Sequence, residues 1–458
     1  MDKKSQRRIL SILFTGVLMG ALDISIVGPA IPSIEEKILI EPRLLGWIFS
    51  IYVLFNLSGV SLFARLSDIF GRRSIYIISL AIFAIGSLIV SFSDNFTVLL
   101  VGRAVQGFGA SGIFPVASAV VGDIFPPEKR GRVLGLIGAV FGLAFLIGPL
   151  IAGILLKYFE WSVLFLINIP IALVLIFLSI RYIPQTKVET EGLFDWKGIL
   201  ALGLMLAAFT YGINNIDAAD FAASLLSPRV FPFLLASIIL LISTFLIEKN
   251  AENPIIKLSY FRNKQITIAG IIAVATGILQ SSFVFIPNFA VGAFSISASE
   301  ASFMLLPLVL ATAIGSPIFG RLIDKYGSKI IILIGLLLAG GGYFLLHLSD
   351  TSKVLFYTSG ALIGFGLSVL SGSSLRYIML NETSAVDRAV TQGMLTIFIS
   401  LGQLTGAALI GVLIANAVGI QGYVNVFLYQ ALFLILIIAF ATMLKNRTIE
   451  FNSEGKEE

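Results

Sequence analysis

The 458-residue chain has no cysteine and one histidine, and only 12% of its residues are charged. Without cysteine there is no disulfide, no thiolate metal site and no cysteine nucleophile. An ordinary soluble protein carries about 25% charged residues, so the low charge argues against a soluble fold. Neither G-x-x-x-x-G-K-[ST] nor H-E-x-x-H occurs, so a P-loop nucleotide site and a zinc-protease helix have no sequence support. No connection is long enough to form a soluble domain; 184–195 and 249–264 are short connectors. His347 falls near the end of an apolar run, where an interfacial place is expected.

Long apolar runs fill the rest. The chain is 57% hydrophobic, with a mean hydropathy of +0.99. A spanning helix needs roughly 20 apolar residues. Fourteen such runs are predicted, near 9–32, 44–63, 74–93, 96–122, 133–156, 161–183, 196–215, 230–248, 265–291, 298–319, 330–348, 354–380, 391–418 and 422–444. The first follows a basic stretch, as in a signal peptide. It is however about 24 residues long, contains Asp23 and lacks a small-x-small cleavage site, so it is read as a retained helix.

The net charge of +5 is arranged by topology and is not a nucleic-acid signal. With a cytoplasmic N-terminus, 25 lysines and arginines fall in inner segments and 5 in outer ones, leaving Arg103 inside a span. That asymmetry follows the positive-inside rule and implies an even helix count with both termini cytoplasmic.

The sequence also repeats. ARLSDIFGRR at 64–73 recurs as GRLIDKYGSK at 320–329, pairing Asp68 with Asp324 and Gly71 with Gly327. GALDISIV at 20–27 aligns with GILQSSFV at 277–284. Gly107-Phe108-Gly109 aligns with Gly364-Phe365-Gly366, and Gly135, Ala144 and Gly148 align with Gly393, Gly402 and Gly406. The offsets agree to within two residues, which marks a duplication. The expected organisation is a six-helix bundle at 1–183, a linker with two inserted helices at 184–264, and a second six-helix bundle at 265–458. Parallel repeats of this kind are a transporter architecture, with the substrate site between them near mid-membrane.

These motifs resemble the major facilitator superfamily, and within it the fourteen-span drug:proton antiporter family. The loop motif G-x-x-x-D-[RK]-x-G-[RK]-[RK] is met at 64–73, with Ala64 for the first glycine and Ile69 for a basic residue. GRAVQGFGAS at 102–111 matches the helix-4 motif. Gly135, Ala144, Gly148-Pro149 and Ala152-Gly153 match the helix-5 antiporter motif with two glycines reduced to alanine. LDISIVGPAIP at 22–32 matches the helix-1 pattern with Gly28-Pro29 for Asn-Val. The resemblance implies an all-α polytopic membrane protein of two six-helix bundles plus two inserted helices. It implies proton-coupled export of a drug-like or amphiphilic molecule by alternating access from a prokaryotic plasma membrane. The expected partners are that substrate, protons and the lipid bilayer. The chain is expected to act as a monomer without nucleic acid, and without a cofactor beyond the proton gradient.

Two charges lie well inside predicted spans, Asp23 and Arg103, each on the order of 10–14 Å below the outer surface at ~1.5 Å per residue. An intramembrane ionisable residue is a functional candidate by default. Desolvation and a neighbouring arginine act on a carboxyl in opposite directions, so a changing environment can load and release a proton. Asp23 is expected to carry the proton and Arg103 to tune it. The alternative is a permanent ion pair that fixes helix 1 to helix 4.

In the repeat Asp23 aligns with Gln280 and Arg103 with Gly360, so the second half has lost both charges. Its expected substrate-facing polar residues are Gln280, Asn288 and Gln403, with Gln106 from the first half. The resemblance assigns Asp68, Gly71, Arg72, Asp123, Asp324 and Gly327 to a gate, and Gly135, Gly148, Pro149 and Gly153 to a bendable, tightly packed helix 5. A uniporter or symporter for a metabolite, and a lipid or glycolipid translocator, are the competing readings.

Overall fold

The computed structural model describes all residues except 1–2, 42–43, 126–139, 141–142, 145–146, 186–195, 217–219, 251–257, 372, 384–387, 416 and 447–458. The described residues are helical with short turns, and no strand occurs among them. The helices are α1 (Lys3–Ile38), α2 (Leu45–Phe70), α3 (Arg72–Ser91), α4 (Phe96–Ile124), α5 (Ile147–Tyr158), α6 (Val163–Tyr182), α7 (Trp196–Asn214), α8 (Phe231–Asn250) and α9 (Lys264–Ser281). They continue as α10 (Ile286–Phe294), α11 (Ala298–Met304), α12 (Leu306–Tyr326), α13 (Ser328–His347), α14 (Lys353–Leu370), α15 (Ser373–Asn381), α16 (Arg388–Ala415) and α17 (Gln421–Ala441). Each predicted apolar run is represented among the described residues, although the run 133–156 is represented only by its second part, since 133–139, 141–142 and 145–146 lie outside the described residues. Among the described residues, twelve helical segments are long and apolar enough to cross a bilayer, and α5 and Leu200–Asn214 are shorter apolar helices.

Three predicted spans are interrupted in the second half, and proline accounts for two of the breaks. Pro287 opens α10 after a short 3-10 turn at Ser282–Val284, and Pro307 opens α12 after Leu305. Proline removes a donor and its ring crowds the carbonyl four residues back, so the ladder restarts at a new angle.

The repeat is visible in backbone geometry. Gly71 has φ 92° and Gly327 φ 82°, and each is at once the C-cap of one helix and the N-cap of the next. A side chain is strained at that φ, so glycine is what lets two membrane helices be joined by one residue. Asn95 caps α4 by accepting from the Val98 amide, and Ser352, 257 positions on, caps α14 from the Leu355 amide.

Helices α1–α6 pack among themselves, as do α9–α17. The hairpin α7–α8 lies with α7 against both α2 and α16, and the Trp47 and Tyr211 rings meet at 6.4 Å. The outward face of α6 is bare and apolar: Leu173, Val174 and Phe177 are 60%, 56% and 69% exposed. Water would not stabilise such a face, whereas lipid does.

The end carrying Lys4 and the two glycine turns is called here the basic end, and the other the far end. At the far end the two groups of helices touch. A Cβ on Gly46 would lie 2.7 Å from the Ala407 carbonyl oxygen, and one on Gly28 3.0 Å from that of Phe283. Ser299 Oγ donates to the Gly153 carbonyl at 2.5 Å, and Asn288 Nδ2 donates to Glu35. These are the two side-chain hydrogen bonds that cross between the groups among the described residues. At the basic end an open cavity of about 520 Å³ is lined by Lys4, Arg7, Arg8 and Ser11. Lys4, Arg7, Arg8, Ser11 and Thr15 form an exposed polar stripe on α1, which suits a water-filled mouth and not lipid.

Candidate functional site

The predicted pair is in contact. Asp23 of α1 and Arg103 of α4 are both 0% exposed, and Arg103 Nη1 donates to Asp23 Oδ2 at 2.7 Å. The pair is embedded in polar partners. Gln106 Nε2 donates to Asp23 Oδ1 at 2.6 Å and to Ser87 Oγ at 2.8 Å, while Arg103 Nη1 also reaches Gln106 Oε1 at 2.5 Å. Asn168 Nδ2 donates to Asp23 Oδ1 at 3.1 Å and to Ser87 Oγ at 3.3 Å. Arg103 Nε donates to the Ile48 carbonyl at 3.1 Å, and its guanidinium lies 4.3 Å from the Tyr52 ring centre. One site thus joins α1, α2, α3, α4 and α6.

Helix periodicity explains the convergence. Arg103 and Gln106 are three residues apart, so both project from one face of α4. A buried carboxylate is costly unless paired and hydrogen-bonded, and here each oxygen has a donor. Arg103 Nη2 is buried without a hydrogen-bond partner. The site is therefore saturated on the acid side and not on the base side. Asn168 and Ser87 were not expected from the sequence. Their signal was faint: an amide just before Pro170 at the middle of an apolar run, and one serine among several on α3.

Gln106 is 0% exposed and belongs to this network; it does not line the basic-end cavity. In the other half, Gln403 Nε2 donates to Gln280 Oε1 at 2.9 Å and Gln280 Nε2 to Ser371 Oγ at 2.6 Å. These amides link α9, the end of α14 and α16, with no charge. Asn288 is not with them. It sits at the far-end closure beside Glu35 and Tyr423.

The predicted gate residues of the first half also meet. Arg72 is 8% exposed and forms an ion pair with Asp68 one helical turn earlier. Its Nε reaches Asp123 Oδ2 at 3.2 Å and its Nη1 donates to Ser67 Oγ at 2.7 Å. These contacts tie α2, α3 and α4 across the Gly71 turn. The Asp324 side chain lies outside the described residues, as does Gly135.

The remaining helix-5 residues pack on both halves. Ser25 Oγ donates to the Ala144 carbonyl at 3.1 Å, and a Cβ on Gly148 would lie 2.0 Å from that hydroxyl. Pro149 follows within α5, and Gly153 faces Phe303 and Ser299.

Comparisons with known proteins fit this arrangement. The sequence profile described as Major Facilitator Superfamily matches residues 13–285 and again 266–457. The chain is 32% identical over 406 residues to an uncharacterized MFS-type transporter, YfiU, of Bacillus subtilis, covering 88% of this chain and 78% of that one. It is 29% identical over 420 residues to Multidrug resistance protein 3 of the same organism, with the same coverage. Among solved structures, a bacterial homologue of the human lysosomal transporter Spinster, in an inward-facing and occupied conformation, superposes with a TM-score of 0.71 at 15% identity over 97% of each chain. With its profile matched twice along its length and its all-helical fold shared, the chain belongs to the Major Facilitator Superfamily of membrane transporters.

Proposed function

We propose that the protein is a proton-coupled exporter of drug-like or amphiphilic small molecules, with Asp23 as the proton carrier and Arg103 as the group that tunes it. The observation that carries this reading is the asymmetry between the halves. One holds a fully buried acid–base pair, Asp23 and Arg103, and the aligned positions of the other hold Gln280 and Gly360, with Gln280 bonded to the neutral amide of Gln403. A transporter needs a group whose ionisation depends on which side is open. Asp23 shares its seat with a cation and three neutral donor or acceptor side chains, so a shift of α1 against α4 changes its balance of desolvation and pairing.

On this reading the division is 1–183, 184–264 and 265–458, both termini are cytoplasmic, and the chain works as a monomer in the bacterial plasma membrane. The basic end then faces the cytoplasm and the closed far end faces outward. Asp68, Arg72 and Asp123, with Asp324 and Gly327 in the other half, gate the cytoplasmic side. Gly148, Pro149 and Gly153 keep α5 tightly packed during exchange. Gln280 and Gln403 present hydrogen-bonding groups to the substrate.

The experiment is transport into vesicles by the wild type and Asp23→Asn, each with and without an imposed pH gradient. The reading predicts loss of the gradient-driven component alone. Gradient-driven transport that survives in Asp23→Asn removes Asp23 as the carrier. Antibiotic-susceptibility panels in an efflux-deficient host supply the substrate for the assay.

A further inference from the structure

Glu35 lies three residues from the end of α1, half-buried where the two groups of helices meet. Its Oε2 accepts from Asn288 Nδ2, and Asn288 Nδ2 lies 3.3 Å from the Tyr423 hydroxyl. Both partners belong to the opposite half, and each is 8% exposed. The environment of Glu35 is therefore made by closure of the far end.

We propose that Glu35 is a proton-binding latch, a second carboxyl group that leaves water each time the far end closes, so that closure and protonation at that end are linked. No cation offsets the burial among the described residues. On its own helix Lys37 is committed to Glu160 at 2.8 Å, and Glu36 is another acid. On α11, Glu300 is held by its own N-cap Ser297. On α10 and α17 the facing groups are the neutral Asn288 and Tyr423. His347 on α13 is engaged with the Val424 carbonyl at 2.9 Å.

One bond from a neutral amide replaces only part of the hydration a carboxylate loses. Asn288 gives no more than that bond, and its own Oδ1 is buried without a partner. The far end thus closes more readily over the neutral acid, and acid on the far side favours the closed state. This differs from Asp23, which is enclosed by its own half and keeps a cation.

The absence of native cysteine makes the test direct. Ser299 is 8% exposed against Gly153, so Ser299→Cys reports closure through its reaction with a membrane-impermeant maleimide. Val418→Cys, at a position 95% exposed, corrects for the pH dependence of thiol reactivity. Corrected labelling of Ser299→Cys is expected to be about threefold or more higher at about pH 8 than at about pH 6, within the tenfold per unit that one proton allows. With Glu35→Gln added, or Glu35→Ala if the first is poorly folded, the ratio is expected to fall to about one, while His347→Gln leaves it unchanged. No pH dependence in the parent, or a ratio that persists without the Glu35 carboxyl, overturns the proposal. The assay reads closure without transport, so its failure is distinct from a failure of the Asp23 reading.

Discussion

Asp23 and Arg103 meet at 2.7 Å with neither side chain reaching solvent. Their contact joins α1 to α4, and Ile48, Ser87, Gln106 and Asn168 complete it from the surrounding helices. A pair enclosed in this way is a structural tie and, on the proposed reading, a store of one proton; substitutions separate the two roles.

Removing the cation leaves a buried acid with only the neutral donors Gln106 and Asn168. Breaking a buried pair from one side typically costs about 3–5 kcal/mol. Arg103→Ala is expected to lower stability by that order, read as thermal unfolding in detergent. Arg103→Lys is expected to fall between, because it gives up the Ile48 carbonyl bond and the face on Tyr52.

Asn168 tests the part of the site that was not foreseen. Asn168→Leu removes its donors to Asp23 and Ser87, at a cost of about 1.5–3 kcal/mol for a hydrogen bond to a charged group. Gradient-driven transport is expected to show an altered pH profile while the substrate KM changes little. An unchanged profile with lower stability would leave Asn168 a packing residue only.

The far-end closure depends on close backbone approach. Gly46→Ala would place a methyl 2.7 Å from the Ala407 carbonyl oxygen, closer than real Cβ contacts come. The variant is expected to disfavour closure and to raise far-side maleimide labelling of Ser299→Cys severalfold. Gly341→Ala is the control: a Cβ there meets nothing within 4 Å, and alanine is about 1 kcal/mol better than glycine inside a helix.

Arg72 holds Asp68 and Asp123 beside one glycine turn. Asp68→Asn and Arg72→Gln are expected to insert normally and to reduce transport about tenfold, as an interaction worth roughly 1.4 kcal/mol in the rate-limiting step would. Normal transport by both variants would make the cluster a topological feature without a gating role.

Much of this protein was legible as sequence because each signal was local. Where they are described, the predicted apolar runs reappear as helices, since burial of backbone polar groups in lipid leaves the helix as the solution for each run. Asp68-x-x-Gly71 and Asp324-x-x-Gly327 marked the two one-residue turns, because only glycine takes that φ without strain. Asp23 and Arg103 were visible as charges in oily surroundings.

Tertiary structure alone decided what those local signals meet. Asn168 and Ser87 complete the Asp23 site from helices far along the chain, and nothing in a serine or an amide on one helix names its partner on another. Asn288 looked like an equal of Gln280 and Gln403, yet beyond the 3-10 turn at Ser282–Val284 it stands at the far-end seam against Glu35. Which end is shut is a matter of how two bundles lean on each other. Composition and periodicity set the helices, because those energies are paid residue by residue. Closure depends on pairs such as Gly46 with Ala407, whose contact exists only once the bundles have been placed.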